Sequence, residues 1–221
     1  MIPGIKRLEF LLRNYFSYIK TFGKYTYTSQ YSQDRIAYLY VKGKTDGFFI
    51  DIGAHDGISA NNSFIFEQLG WKGICIEPQQ NRKCDLYNGA IYSETLEEMD
   101  FIKINDADFL SGLNIVFSDD RKALLEKENH KIEHIKIQAM SFDDMMKKYP
   151  SINRIDFMSL DVEGGELAIL QNINFEKYKF CLIAIENNEP DGVLEKYMRT
   201  KGYMTLLAVG GDILFVEKIY S

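Results

Sequence analysis

The chain has 221 residues, of which 46% are hydrophobic, and it carries a formal charge of −6 with a pI of about 5.2. This length fits one α/β domain, and the mixture of acidic and basic residues argues against a broad basic face, so we expect no nucleic-acid partner. Cys75, Cys84 and Cys181 form no C-x-x-C pair and have no zinc-like spacing with the histidines. We therefore expect reduced cysteines in a cytoplasmic protein.

Residues 1–28 are predicted to form an amphipathic helical extension ahead of a domain that covers residues 29–221. Apolar residues recur there at helical spacing among lysines and arginines, at Ile5, Leu8, Leu12, Tyr15, Phe16 and Ile19. Such a stripe is typical of a helix that packs on its own domain or on a second subunit, as in a homodimer. Peripheral contact with a membrane is the alternative. The segment lacks the continuous apolar run of a signal peptide.

From residue 46 onward, short apolar runs alternate with helical stretches. Such alternation predicts an α/β fold with a mostly parallel sheet and helices on both faces. The predicted strands are 47–53, 73–78, 155–164 and 179–187, and the predicted helices are 59–69, 80–86, 141–148, 165–171 and 191–200. Residues 89–138 hold several short β-like pieces, for which we expect one core strand and either an insertion or extra strand pairing near the active site. Two strand-like runs around Gly210-Gly211 predict a C-terminal antiparallel hairpin.

The first predicted strand ends in a glycine loop, Asp51-x-Gly53-x-x-x-Gly57. Ligands of open α/β sheets bind beyond the carboxyl ends of the strands, and glycine allows a close approach of the backbone. The loop lacks the third glycine of a dinucleotide fingerprint, and a carboxylate at Asp51 repels phosphate but suits an ammonium group. Glu77 ends the second strand, where an acidic side chain accepts hydrogen bonds from ribose hydroxyls. These features favour S-adenosylmethionine as the cofactor.

Two other classes of protein explain part of this pattern. A nicotinamide-dependent Rossmann oxidoreductase would also use Gly53, Gly57 and Glu77, although the spacing of the glycines disfavours it. A non-catalytic domain that binds S-adenosylmethionine, or that serves as a partner of another enzyme, is the third interpretation.

The motifs resemble those of the FkbM-type S-adenosylmethionine-dependent methyltransferases. The matching pieces occur in the family's order from residue 29 to 216, and the most specific are "GICIEP" and "SLDVEGGEL". The resemblance implies a Rossmann-like class I methyltransferase fold, S-adenosylmethionine as cofactor, and O-methylation of a sugar, glycan or related small metabolite.

By position, the resemblance also assigns cofactor-binding residues. Asp51, Gly53 and Gly57 would line the methionine end of S-adenosylmethionine, and Glu77 would hold its ribose. Asn62 lies where the family has the asparagine of a Ser-Asn-Thr triplet, which is Asn-Asn-Ser here. Asn88 and Ala90 are candidates for adenine contacts by location only.

Three carboxylates are predicted to converge at the ligand crevice. Asp161 and Glu163 share one face at the end of a strand, and Glu186 ends the neighbouring strand. Neighbouring carboxylates repel one another, which is relieved by a raised pKa or by a bound cation. We expect Asp161 to be the base that deprotonates the acceptor hydroxyl. Mg²⁺ or Mn²⁺ held by Asp161, Glu163 and Glu186 is the second interpretation.

Several residues keep two interpretations each. Glu163 is either part of this cluster or the cap of the helix that follows Gly164-Gly165, and Glu166 is expected to be exposed. His55, inside the glycine loop, is either a base or a local hydrogen-bonding residue. Gln33 and Asp34 either fold over the site or lie on a helix surface.

Overall fold

Two β-sheets organise the residues that the computed structural model describes, which are 24–77, 84–107, 110–188 and 191–218. The predicted N-terminal helix falls almost entirely outside these ranges, so its contacts with a subunit or a membrane stay predictions. Within the described ranges, no helix has the length and hydropathy needed to span a bilayer.

The elements of the fold are numbered here in chain order. The strands are β1 Phe48–Ile52, β2 Lys72–Ile76, β3 Asp85–Tyr87, β4 Ala90–Tyr92, β5 Leu96–Ile104, β6 Gly112–Leu113, β7 Ile132–Ser141, β8 Arg154–Leu160, β9 Lys179–Glu186, β10 Tyr203–Val209 and β11 Asp212–Glu217. The α-helices are α1 Gln33–Tyr40, α2 Phe64–Gln68, α3 Asp119–Lys127, α4 Phe142–Met146, α5 Glu166–Asn172 and α6 Val193–Thr200.

The larger sheet has seven strands in the order β10-β11-β9-β8-β1-β2-β3. Strand β1 lies in its centre and pairs in parallel with β2 on one side and β8 on the other. Strands β3 and β9 extend the parallel arrangement outward, whereas β11 runs antiparallel to β9 and forms a hairpin with β10. These pairings agree with the predicted parallel sheet closed by a terminal hairpin. The strand order reverses between β1 and β8, which is where open α/β sheets bind ligands.

Both faces of this sheet are covered by helices because β1 is apolar on both sides. Phe48, Ile50 and Ile52 point to one face and Phe49 to the other, as alternation along a strand requires. The first face packs on apolar residues of α4, α5 and α6, namely Phe142, Met145, Met146, Ile169, Leu170, Leu194 and Met198. The second packs on residues of α1 and α2, namely Ala37, Tyr38, Ile65 and Phe66. The prediction of helices on both faces is therefore confirmed.

Two predicted helices differ from the structure. The helix expected over 59–69 is confined to α2, because Asn61 accepts hydrogen bonds at its Oδ1 from the backbone N–H groups of Ser63 and Phe64 and holds the preceding residues as a loop. The helix expected over 80–86 is wrong for its described end, since residues 85–87 form β3. That strand pairs with β2, and residues 78–83 lie outside the described ranges.

The second sheet has four strands in the order β4-β7-β5-β6 and corresponds to the predicted insertion. The core strand expected within residues 89–138 is wrong, because the described strands of that range pair with one another in this second sheet and not with the larger one. Helix α3 packs on it through Leu125, which shares a small apolar cluster with Ile102, Ile104 and Phe117. Strand β4 pairs in parallel with β7 and follows directly after β3. The insertion thereby adjoins the ligand end of the larger sheet.

The prediction that all cysteines are reduced is wrong for two of them. Cys75 in β2 and Cys84 immediately before β3 form a disulfide, with their Cα atoms 6.2 Å apart, whereas Cys181 is free. Their spacing along the chain hid this pairing, because only the parallel alignment of β2 with β3 brings the two thiols together.

Candidate active site

A cavity of about 510 Å³ opens at the carboxyl ends of β1, β2, β8 and β9. Its volume lies in the range of small-molecule and cofactor sites. Its lining also includes residues that precede α1, residues of β4 and the tip of the β10–β11 hairpin. The centre of the larger sheet, the insertion, the segment that leads into α1 and the C-terminal hairpin therefore all contribute to one site.

The first glycine of the loop leaves space for the end of a neighbouring strand. Gly53 has φ +83°, and a Cβ built on it would lie 1.6 Å from the backbone carbonyl oxygen of Asp161. Asp161 in turn donates its N–H to the carbonyl of Ile52 at 3.0 Å. A residue without a side chain is therefore required at Gly53, because the end of β8 approaches the end of β1 closely there. The sequence did not indicate this role.

Asp51 connects the glycine loop to α2. Its buried carboxylate accepts hydrogen bonds from Ser63 Oγ at 2.5 Å and Asn61 Nδ2 at 2.9 Å. Asn61 also donates to the carbonyl of Ala54, so its amide holds the segment that follows the loop against the start of the loop. Asp51 and Asn61 both line the cavity, which leaves a fixed negative charge at its wall.

Glu77 and His55 meet at the β2 side of the cavity. The backbone N–H of His55 donates to Glu77 Oε2 at 3.0 Å, and His55 adopts a left-handed conformation with φ +45°. The imidazole Nδ1 lies 3.7 Å from Asp56 Oδ1. The contact made by the backbone of His55 agrees with the local hydrogen-bonding interpretation, and its use as a base stays a prediction.

The three predicted carboxylates do converge. One ligand oxygen from each of Asp161, Glu163 and Glu186 lies within 4.8 Å of the others. Burial, followed by the charge of Glu163, raises the pKa of Asp161, and burial, followed by the charge of Asp161, raises the pKa of Glu186. The raised pKa values favour one proton on this pair at a pH where free carboxyls are ionised, which leaves the other carboxylate able to accept a second proton.

Glu163 differs from its two neighbours because it has a cationic partner. Arg121, on α3 of the insertion, donates from Nη2 to Glu163 Oε2 at 2.7 Å and from Nη1 to the Glu163 carbonyl at 2.8 Å. The guanidinium also lies 4.4 Å from the centroid of the Phe117 ring. This ion pair partly offsets the negative charge of Glu163 and fixes its backbone, which has φ +62°.

The turn that precedes α5 is held by Glu166 and not by Glu163, and the N-cap residue Gly165 makes no side-chain cap bond. Glu166 is only 8% exposed, and its carboxylate accepts hydrogen bonds from the backbone N–H groups of Val162 at 2.9 Å and Gly164 at 3.1 Å. Two predictions are therefore wrong: Glu163 does not cap α5, and Glu166 is not exposed. The tight turn at Gly164-Gly165 folds the Glu166 side chain back over the backbone amides that precede its own helix.

Sequence reasoning missed a fourth acidic residue, Asp212. It begins β11 directly opposite Glu186, and its Oδ2 accepts hydrogen bonds from Gln33 Nε2 at 2.8 Å and Asn62 Nδ2 at 3.3 Å. Asn62 Nδ2 also lies 3.2 Å from Ser159 Oγ. Burial raises the pKa of Asp212. The only signal in the sequence is the position of Asp212 directly after the hairpin glycines.

A family model described as the methyltransferase FkbM domain matches residues 51–204. The chain belongs to the FkbM methyltransferase family. The resemblance noted from the motifs is thereby confirmed. Comparisons with curated proteins and with solved structures found no match.

The matched range of the FkbM domain contains the glycine loop, Glu77 and the three converging carboxylates. It ends before Asp212 and begins after Gln33, so the Gln33–Asp212 contact joins two segments that flank the range. Gln33 and Asp34 are both buried, and Gln33 lines the cavity, so the interpretation as a helix surface is wrong. Asp34 accepts hydrogen bonds from the N–H groups of Thr28 and Ser29 and thereby folds the preceding segment.

Of the two residues that were assigned to adenine by location, one lines the cavity and the other does not. Ala90 lines the cavity together with Gly89, whereas Asn88 is exposed and is not among the lining residues. Gly57 also lies outside the lining and donates its N–H to the carbonyl of Ala54 in the loop turn. The cofactor roles of Asn88 and Gly57 stay predictions.

Proposed function

We propose that this FkbM domain is an S-adenosylmethionine-dependent O-methyltransferase with a Rossmann-like class I fold, acting on a hydroxyl of a sugar, glycan or related small metabolite. One observation carries the proposal. A single cavity has fixed carboxylates at the ends of β1 and β2 on one side of the strand-order reversal, and the proton-sharing pair Asp161 and Glu186 on the other. This division suits a cofactor on the first side and an acceptor on the second.

The residues on the cofactor side fit S-adenosylmethionine. Glu77 presents a carboxylate to the cavity from the end of β2, which is suited to paired ribose hydroxyls. Asp51 contributes negative charge where a cationic amino-acid portion would bind and where a pyrophosphate would be repelled. When bound, S-adenosylmethionine supplies an electrophilic methyl group on a sulfonium centre.

Asp161 is proposed as the base on the acceptor side. A catalytic base is most effective when its pKa lies near the working pH, and burial raises the pKa of Asp161 in that direction. With the shared proton on Glu186, Asp161 accepts the proton of the acceptor hydroxyl as that oxygen becomes nucleophilic. The ion pair between Arg121 and Glu163 limits the repulsion that a third free carboxylate would add.

The same carboxylates suit a divalent cation as an alternative way of activating the hydroxyl. Glu186 Oε2 is buried without a hydrogen-bond partner among the described residues, and Mg²⁺ and Mn²⁺ prefer carboxylate oxygens. Asp161 and Glu186 would be the ligands, since Glu163 is already paired with Arg121. Such a cation would acidify a bound hydroxyl.

Calorimetry with S-adenosylmethionine tests the cofactor assignment. We expect Glu77→Ala to weaken binding at least about tenfold, because the paired ribose hydroxyls lose charged acceptors worth roughly 1.5–3 kcal/mol each. Glu98→Ala, a change at an exposed carboxylate of β5 outside the cavity, is the matched control and should bind as the wild type does. The absence of any binding to the intact protein would end the proposal. Thermal protection by NADH but not by S-adenosylhomocysteine would favour the oxidoreductase.

Methyl transfer from labelled S-adenosylmethionine tests the chemistry. The acceptors offered are nucleotide-activated sugars, cell-surface glycans and small phosphorylated metabolites, each with Mg²⁺, with Mn²⁺ and with EDTA. With the acceptor that this panel identifies, Asp161→Asn should lower turnover by about 10²–10⁴-fold while leaving the affinity for S-adenosylmethionine unchanged. Turnover equal to that of the wild type would exclude Asp161 as the base. Full activity in EDTA would exclude the cation.

A further inference from the structure

Residues 28–33, termed the strap, lie at the cavity and end at the first residue of α1. The strap is joined to the glycine-loop side by a β-bridge between Ser29 and Ala60 and by a hydrogen bond from Thr28 Oγ1 to the carbonyl of Asn61 at 3.0 Å. At its other end, Gln33 donates to Asp212 at the tip of the β10–β11 hairpin. The strap therefore spans both sides of the cavity.

Tyr31 is the aromatic residue of the strap, and one side of its ring is seated on glycine. A Cβ at Gly210 would lie 2.0 Å from Tyr31 Cδ2, so the ring occupies the space that any other residue at the hairpin tip would fill. Tyr31 nevertheless remains 52% exposed and lines the cavity. The ring therefore contacts the hairpin tip and also offers apolar area to the cavity. Because this contact already restricts the side chain, a ligand that binds to the ring costs little further conformational entropy.

A short series of contacts leads from Tyr31 to the catalytic carboxylates. The Tyr31 N–H donates to Gln33 Oε1 at 2.9 Å, and Gln33 Nε2 donates to Asp212 Oδ2 at 2.8 Å. Asp212 pairs in register with Glu186. Tyr31 therefore belongs to the acceptor side of the cavity, remote in topology from the β2 end that carries Glu77.

Polar groups that match hydroxyls line the same cavity as this ring. Gln30 and Asn188 line the same cavity, and an amide side chain both donates and accepts hydrogen bonds. An apolar ring face beside amides and carboxylates is complementary to a molecule that has an apolar C–H face and hydroxyls around its edge. A pyranose ring has this construction, whereas a linear polar metabolite lacks the face.

We propose that Tyr31 is a specificity-determining residue on which the ring of a pyranose acceptor stacks, held in place by Gly210. This inference rests on the proposed methyltransferase function and adds the residue that contacts the ring of a sugar acceptor. Tyr31 selects for the ring, and the amides beside it orient the hydroxyls toward Asp161.

Saturation-transfer NMR tests this role without knowledge of the natural acceptor. The probes are methyl α-D-glucopyranoside, methyl α-D-mannopyranoside and methyl α-L-rhamnopyranoside, each offered to the protein saturated with S-adenosylhomocysteine. We expect at least one to bind, with the strongest saturation at the ring C–H protons. Tyr31→Ala should weaken that binding about tenfold or more, and Tyr31→Phe should stay within about threefold of the wild type.

Two further variants separate the ring from general effects. Gly210→Ala should displace Tyr31 and lower pyranoside binding as Tyr31→Ala does, while the affinity for S-adenosylhomocysteine stays unchanged in both. Leu124→Ala removes an apolar side chain of similar exposure, 50%, outside the cavity and should change neither affinity. If the wild type binds S-adenosylhomocysteine but no pyranoside, or if Tyr31→Ala binds pyranosides as the wild type does, the inference is overturned. Failure of the wild type to bind S-adenosylhomocysteine would count against the proposed function instead.

Discussion

Replacing Gly53 by alanine should destabilise the domain much more than replacing Gly70 does. Both glycines have nearly the same positive φ, +83° and +80°. A Cβ at Gly53 would lie 1.6 Å from the carbonyl oxygen of Asp161, whereas a Cβ at Gly70 meets nothing within 4 Å. The pair therefore separates backbone strain, which both variants share, from the collision between β1 and β8, which only Gly53→Ala suffers.

The size of the difference follows from the contacts that must open. The distance from the new Cβ to the Asp161 oxygen has to grow from 1.6 Å to at least 3.0 Å, which separates the ends of the two strands. That movement disrupts hydrogen bonds of 3.0 Å from Asp161 N to the Ile52 carbonyl and from Gly53 N to the Ile76 carbonyl. Each bond contributes about 1 kcal/mol, and left-handed alanine costs about 1–2 kcal/mol. Gly53→Ala should thus cost about 3–4 kcal/mol and Gly70→Ala about 1–2 kcal/mol.

Urea unfolding measures this difference directly. The chain has one tryptophan, Trp71, which is buried and stacked on Phe66 at 4.3 Å, so its fluorescence reports unfolding alongside far-UV circular dichroism. With a slope of about 1–3 kcal/mol per molar urea and a difference of about 2 kcal/mol, the midpoint of Gly53→Ala should lie roughly 0.7–2 M below that of Gly70→Ala. Equal midpoints would refute the reasoning, and the glycine would then be required by a ligand and not by the fold.

Three other predictions concern charge and redox state. Glu186→Gln should stabilise the protein at pH 8 relative to the wild type and not at pH 4. Burial raises the folded pKa of Glu186, so the stability of the wild type falls as pH rises above the unfolded pKa, by at most about 1–2 kcal/mol per pH unit. Equal pH profiles of the melting temperature for the two proteins would contradict this prediction. Arg121→Leu should cost about 2 kcal/mol in urea unfolding, because Glu163 loses charged hydrogen bonds beside other carboxylates, and an unchanged midpoint would show the pair to be unimportant. Reduction of the Cys75–Cys84 bond, which closes a loop with a separation of nine residues, should lower the free energy of unfolding by about 2–3 kcal/mol. The denatured protein should show one reactive thiol before reduction and three after. Three reactive thiols before reduction would exclude the bond.

The order of the core elements could be predicted from the sequence because each depends on a local pattern. The continuous apolar run of β1 indicates a strand buried on both faces, and the structure packs its alternate residues on two helical layers. Strand ends are equally local, so Glu77, Asp161 and Glu186 could be placed at one edge of the sheet before any contact was known. The motifs were likewise sufficient to predict the family.

The rest of the site depends on contacts between residues far apart in the chain, which no spacing encodes. Only the fold brings Arg121 from the insertion to Glu163, and Asp212 from the last strand to Asn62 and Gln33. Side-chain direction matters even between residues that are close in the chain. The carboxylate of Glu166, and not that of Glu163, accepts hydrogen bonds from the backbone amides of the turn before α5.

The sequence by itself determined the alternation of strands and helices, the chemical character of the strand ends and the family, because these depend on local periodicity and on residue type. The tertiary structure alone decided which carboxylates are paired and which share a proton, because pKa and charge depend on burial and on neighbours brought together across the sheet. It also decided that Gly53 accommodates the Asp161 carbonyl and that Tyr31 sits on Gly210 at the cavity rim, since close approach is a property of the assembled backbone and not of the order of residues.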